Sequence, residues 1–179
     1  MDRRIQSIVL IALFTALTVV ATTIKIPMPG AFVHLGNAVL LLAVLLLGYF
    51  RGALAGGLGF AIFDVLNGYV TEAPYFILES FIVGGVAYGL ILLFKKRPTK
   101  IWQIVVIAFG TGIAKIIMTQ IKNTVMLLIV GSDFTSAFAA ALTKLPATLI
   151  NTATTIVIVT LLYFPLKQAM DRTFKHSFV

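Results

Sequence analysis

The sequence predicts an all-α integral membrane protein, a single domain over residues 1–179 with six transmembrane helices and both termini cytoplasmic. Three observations carry this. First, 60% of the residues are hydrophobic and only 11% are charged, whereas a soluble domain is about half apolar and a quarter charged. Second, the mean hydropathy is +1.06, and several apolar runs reach or approach the roughly 20 residues that cross a bilayer. Third, the basic residues gather at the ends of those runs, as topology signals do.

The elements follow in order. Span 1 is expected at 7–23, behind Arg3 and Arg4. Its apolar run is long for a signal sequence, lacks a small-x-small cleavage site and leads into further spans, so it is expected to be retained. The stretch KIPMPGAFVHLGN (25–37) is read as a loop, because Pro27, Pro29 and Gly30 break a helix. Span 2 is placed at 38–50, short unless His34 and Gly36 join it. A turn at 49–52 leads to span 3 at 53–70, rich in small residues. Span 4 runs 75–94, the basic loop KKRPTK fills 95–100, and span 5 runs 101–130. The segment 131–144 is a less apolar connection with room for a short amphipathic helix. Span 6 is expected at 146–166, before a basic tail.

Orientation follows from the basic residues. One side holds Arg3, Arg4, Arg51, Lys95, Lys96, Arg97, Lys100, Lys167, Arg172 and Lys175, and the other holds Lys25 and Lys144. The richer side is the cytoplasmic one, which places the chain in the cell membrane as a multi-pass protein. The net charge of +8 is spent on topology, so no nucleic-acid partner is expected. Cysteine is absent, which excludes disulfides and thiolate chemistry.

The most informative stretch is AKIIMTQIKN (114–123). It lies inside an apolar run, yet carries Lys115, Thr119, Gln120, Lys122 and Asn123. At about 100° per residue Lys115, Thr119 and Lys122 share a face, with Asn123 beside them. Ionisable groups at membrane depth are costly and face a cavity or a partner. Placed by depth, the polar residues of the other spans collect at the same outer end: His34, Asn37, Asp64, Asn67, Glu72, Glu79 and Asn151. One-sided clustering across five spans predicts an outward-facing pocket, closed by 25–37 and 131–145. The candidate substrate-binding residues are His34, Asn37, Asp64, Glu79, Lys115, Lys122, Asn123 and Asn151. Structural roles compete with this reading. Asn151 can bond a neighbouring helix, Asp64 can cap a helix or balance a lysine, and Glu79 can pair with Lys115 or Lys122. A loop histidine such as His34 more often lies outside a pocket. No ligand cluster suggests a metal.

Small residues recur four apart, in Ala12-x3-Ala16, Gly52-x3-Gly56, Ala53-x3-Gly57-x3-Ala61 and Gly85-x3-Gly89. Such spacing lets helix backbones approach closely in lipid. Internal packing is the expectation for spans 3 and 4. In span 1 the same pattern can serve another protein.

ALFTALTVVA (12–21), IPMPGAFVHLGN (26–37) and GALAGGLGFAIFDVLNGY (52–69), with the size and six spans, resemble an S component of an energy-coupling-factor (ECF) vitamin transporter. Within that family the chain is most similar to the hydroxymethylpyrimidine or pyridoxine group. The resemblance implies a six-helix bundle that binds a small water-soluble vitamin or precursor near the outer face, with Glu79, Lys115, Lys122, Asn123 and Asn151 at family binding positions. It implies docking through Ala12 and Ala16 on a transmembrane T component that works with two cytoplasmic ATPase subunits. ATP and Mg would belong to those subunits, and this chain would carry no cofactor. Independently, no GxxxxGK[ST] phosphate loop occurs, so ATP hydrolysis by that route is excluded here. The lysine pair in span 5 departs from the family pattern and leaves room for an anionic vitamin such as pantothenate. A self-sufficient ion-coupled carrier is the alternative class, with Glu79 or Asp64 as coupling carboxylate, but no inverted repeat is detectable. An intramembrane enzyme is disfavoured, since neither HExxH nor Gly-x-Ser-x-Gly occurs.

Overall fold

The computed structural model describes residues 3–95 and 98–173. Lys96, Arg97 and Lys175, used above for orientation, lie outside the described residues. The chain runs α1 (Arg3–Thr23), β1 (Lys25–Met28), β2 (Ala31–His34), α2 (Gly36–Leu47), α3 (Tyr49–Leu66), α4 (Ala73–Leu93), α5 (Ile101–Ile129), α6 (Phe134–Leu142) and α7 (Leu145–Thr173). Among the described residues five helices are long and apolar enough to cross a membrane: α1, α3, α4, α5 and α7.

The sixth expected span, α2, is shorter. Its 12 residues reach about 18 Å at 1.5 Å per residue, well short of a hydrocarbon core of about 30 Å. From Leu40 to Leu47 every residue is buried, so α2 is the hub of the bundle, ringed by α1, α3, α4 and α7. A helix apolar on all sides belongs in such a place. It ends at Gly48, whose φ of +84° is a conformation that glycine adopts freely. The chain therefore turns at Gly48 and α3 starts at Tyr49, ahead of the turn expected at 49–52.

Three further features differ from expectation. The stretch 25–37 contains an antiparallel hairpin, Lys25 opposite His34 and Met28 opposite Ala31. Pro29 and Gly30 form its turn, with Gly30 at φ +69°. Span 6 continues past 166 to Thr173, because α7 carries Pro165 inside it. In α4 the tight crossing is at Gly84, where an added Cβ would sit 3.3 Å from Ala53 and Val44, while Gly89 faces open space. The Gly85-x3-Gly89 pair is therefore not the seam.

In α3 small residues do set the distances. A Cβ on Gly52 would lie 2.4 Å from the Val44 backbone, and one on Gly59 would lie 2.4 Å from Thr18 Cβ. At this crossing Thr15 Oγ1 donates to the Ala55 carbonyl at 3.2 Å. The buried face of α1 is thus Leu10, Phe14, Thr15, Thr18 and Thr22. Ala12 and Ala16 lie on its exposed face, flanked by exposed Val9, Leu13, Leu17 and Val20.

Candidate functional site

A cavity of about 280 Å³ opens at one end of the bundle. It sits above the N-terminus of α2, where that short helix leaves room. The ends of α1, α3 and α5 meet the beginnings of α4 and α7 around it, and the hairpin covers one side. All eight sequence-predicted site residues line this cavity: His34, Asn37, Asp64, Glu79, Lys115, Lys122, Asn123 and Asn151. Their roles in the wall differ.

The two span-5 lysines are paired. Lys115 bonds Glu79, which also receives the Tyr75 hydroxyl; that proton is shared between Glu79 Oε1 at 2.9 Å and the Met118 carbonyl at 3.0 Å. Lys122 bonds Glu72, a residue the sequence placed beside the pocket but not in it. Glu79 is 2% exposed. A charge buried that deeply persists only with a partner. The i to i+7 spacing of Lys115 and Lys122 brackets Phe76, with ammonium groups 5.3 Å and 4.7 Å from its ring centre. Both contacts lie within cation–π range.

The two asparagines are occupied by the protein. Asn123 Nδ2 donates to the Thr119 carbonyl at 2.9 Å, and its Oδ1 accepts from Lys144 at 3.3 Å. Asn151 holds the hairpin: Oδ1 accepts the His34 N–H at 2.8 Å and Nδ2 donates to the Phe32 carbonyl at 2.9 Å. A side-chain amide has the same donor and acceptor as a peptide unit, so Asn151 pairs with the edge of β2 as a third strand would. The tip of the hairpin rests on the Lys144 stem, which lies 3.3 Å from the position of a Cβ on Gly30.

His34 is part of the wall, which overturns the expectation for a loop histidine. Its Nδ1 accepts the Gly36 N–H at 3.2 Å, and its ring stands edge-on to Phe60. Burial, with Lys115 and Lys25 adding repulsion, lowers its pKa to about 4. The ring is therefore neutral near pH 7, with its proton on Nε2. Among the described residues Asn37 Oδ1 and Asp64 Oδ2 are buried without a hydrogen-bond partner. No group of residues suited to hold a metal ion occurs among the described residues.

Sequence reasoning missed the aromatic lining: Phe32, Phe60, Phe63, Tyr69, Tyr75 and Phe76. The i, i+3 spacing of Phe60 and Phe63 on the face of Asp64 was the available signal. Lys25 was counted for topology alone. Its ammonium lies 4.5 Å from the Phe32 ring centre and 4.7 Å from that of Phe63.

A family model described as ECF-type riboflavin transporter, S component, matches residues 3–168. No curated protein and no solved structure matches significantly. The matched segment contains α1 to α6, most of α7, the hairpin and the whole cavity wall. With its membrane-spanning helices and a polar cavity at one end of them, the chain belongs to the S-component family of ECF transporters, multi-pass membrane proteins of vitamin uptake.

Proposed function

We propose that this chain binds a flat heteroaromatic vitamin at the outer face of the cell membrane, with riboflavin the first candidate. Both termini would be cytoplasmic. It would deliver the vitamin as the binding subunit of a complex whose T component and two ATPases supply the energy. The observation that carries the reading is the composition of the cavity wall: aromatic rings, with the two deep lysines already matched by glutamates. Rings stack on heterocycles, and the remaining wall lysines, Lys25 and Lys144, are bonded to the amide oxygens of Asn67 and Asn123. Pantothenate, which has no ring to stack, suits that lining less well. A volume of about 280 Å³ is near the lower end of small-molecule sites, roughly 300–1,000 Å³, which suits a compact, flat ligand. The family description names riboflavin; hydroxymethylpyrimidine and pyridoxine, single-ring members of the same chemical class, are the second reading on the resemblance above.

The test is equilibrium binding to the purified full chain in nanodiscs. Riboflavin is followed by quenching of its fluorescence, and pyridoxine, hydroxymethylpyrimidine and pantothenate by calorimetry. Saturable riboflavin binding with pantothenate inert is the expected result. Pantothenate binding with all three heterocycles inert would sink the proposal. Uptake by the chain alone in ion-loaded vesicles, without any ATPase, would favour the secondary carrier instead.

A further inference from the structure

We propose that Asp64 is a specificity-determining residue of this cavity, whose carboxylate receives an N–H or O–H donor carried by the bound molecule. The inference rests on the cavity being the ligand site. Three carboxylates line it, and two are spoken for: Glu79 by Lys115 and Glu72 by Lys122. Asp64 is 5% exposed, forms no ion pair among the described residues, and encloses Oδ2 with no partner. Buried acceptors in native proteins are nearly always satisfied, and an exception calls for a partner from elsewhere.

The protein does not supply that partner from the neighbouring elements. Lys25 is on the same wall, but its ammonium is held by the Phe32 and Phe63 rings and by Asn67 Oδ1 at 3.4 Å. Nor is the carboxylate needed to finish α3. The end of that helix is closed by backbone bonds, Asn67 N–H to the Phe63 carbonyl at 3.0 Å and Tyr69 N–H to the Asp64 carbonyl at 2.8 Å. An ionised carboxylate is acceptor-only. It therefore rewards a molecule that presents donors and repels one that presents an anionic group. Imide N–H groups, ring amines and hydroxylated chains belong to the accepted class, while a free carboxylate does not.

The competing assignment is a structural carboxylate, a counter-ion for Lys25. Two measurements on the full chain separate them: riboflavin affinity and the melting temperature of the ligand-free protein, for wild type, Asp64→Asn and Asp64→Leu. A ligand acceptor predicts riboflavin affinity lowered about 5- to 150-fold in both variants. It also predicts ligand-free melting raised by about 2–4 °C in Asp64→Leu, where the unmet acceptor is gone, and unchanged in Asp64→Asn, whose amide still carries an acceptor oxygen. Affinity within twofold of wild type in both variants overturns the proposal. So does ligand-free melting that falls in both, which is the mark of a structural partner. If wild type takes up no riboflavin, the proposed ligand fails by itself. The ligand-free melting still decides Asp64: a rise supports an acceptor reserved for another molecule, and a fall overturns it.

Discussion

Replacing Asn151 with leucine keeps the approximate volume of the side chain and deletes both of its bonds to β2. The His34 N–H at 2.8 Å and the Phe32 carbonyl at 2.9 Å then lose their partners together. A typical bond of this kind contributes about 1 kcal/mol net, and a polar group left buried and unmet costs about 1–3 kcal/mol. Two bonds at the lower figure give about 2 kcal/mol, so the undocked hairpin should become roughly 30-fold more populated. The helices keep their contacts, so the loss is local. Hydrogen exchange at the His34 amide reads it directly: protection should fall by about that factor, while amides in the middle of α2 keep theirs. Because the hairpin covers the cavity, ligand dissociation should accelerate in step. Asn151→Asp offers a contrast, since it can still accept from His34 but sets a carboxylate against the Phe32 carbonyl. It should behave like leucine or worse. Unchanged His34 protection in Asn151→Leu would refute the idea that this side chain latches the hairpin.

Other outcomes follow from the same geometry. His34 titrates at about 4 in the folded chain against an ordinary 6.5, so the unfolded or undocked state binds the extra proton between those values. Hairpin stability should be level above about pH 7 and decline as pH falls through 6.5 toward 4, by at most about 1.4 kcal/mol per pH unit; the slope difference between wild type and His34→Gln, from pH-dependent melting, isolates it, and equal slopes would dismiss it. For the deep ion pair, Glu79→Leu or Lys115→Met alone should each destabilise by about 3–5 kcal/mol, with the double variant recovering much of the loss; additive losses in denaturant titrations would mean the two groups do not depend on each other. Gly59→Ala should loosen the α1–α3 crossing by about 1–3 kcal/mol, because the new methyl meets Thr18; an unchanged melting temperature would count against that contact. Ala12→Trp and Ala16→Trp add bulk to the exposed face of α1 and should abolish uptake in cells holding the whole complex while sparing ligand binding by the isolated chain. Uptake that survives both, or binding that collapses with it, would remove α1 as a separable docking face.

Much of this arrangement is legible in the sequence, for a physical reason. Lysines inside an apolar run are so costly that their presence announces a cavity, and helical periodicity then places Lys115, Thr119 and Lys122 on one wall. Glu79 was readable as a lysine partner by the same charge argument. Phenylalanines carry no such signal, since an aromatic in a membrane helix is ordinary wherever it points; the lining by Phe60, Phe63 and Phe76 depends on how α3, α4 and α5 rotate against each other. Pro27, Pro29 and Gly30 gave away the break after α1, but four-residue strand pairing is settled by tertiary contacts such as Asn151. The length of α2 differs from expectation because its apolar run passes through Gly48 without a change in hydropathy, and span 6 is expected to end at 166 because the apolar run stops there, whereas the helix continues through the polar residues to Thr173.

The pairing of Lys115 with Glu79 and of Lys122 with Glu72 has an electrical consequence. A lone lysine moved through the membrane field is subject to work of about 2.3 kcal/mol per elementary charge per 100 mV. An ion pair moves as a dipole with no net charge, so the work on its two halves nearly cancels. With an uncharged vitamin in the cavity, these two pairs contribute almost no displacement current. Their share in the voltage dependence of occupancy should then be close to nil, at resting and at collapsed membrane voltage alike.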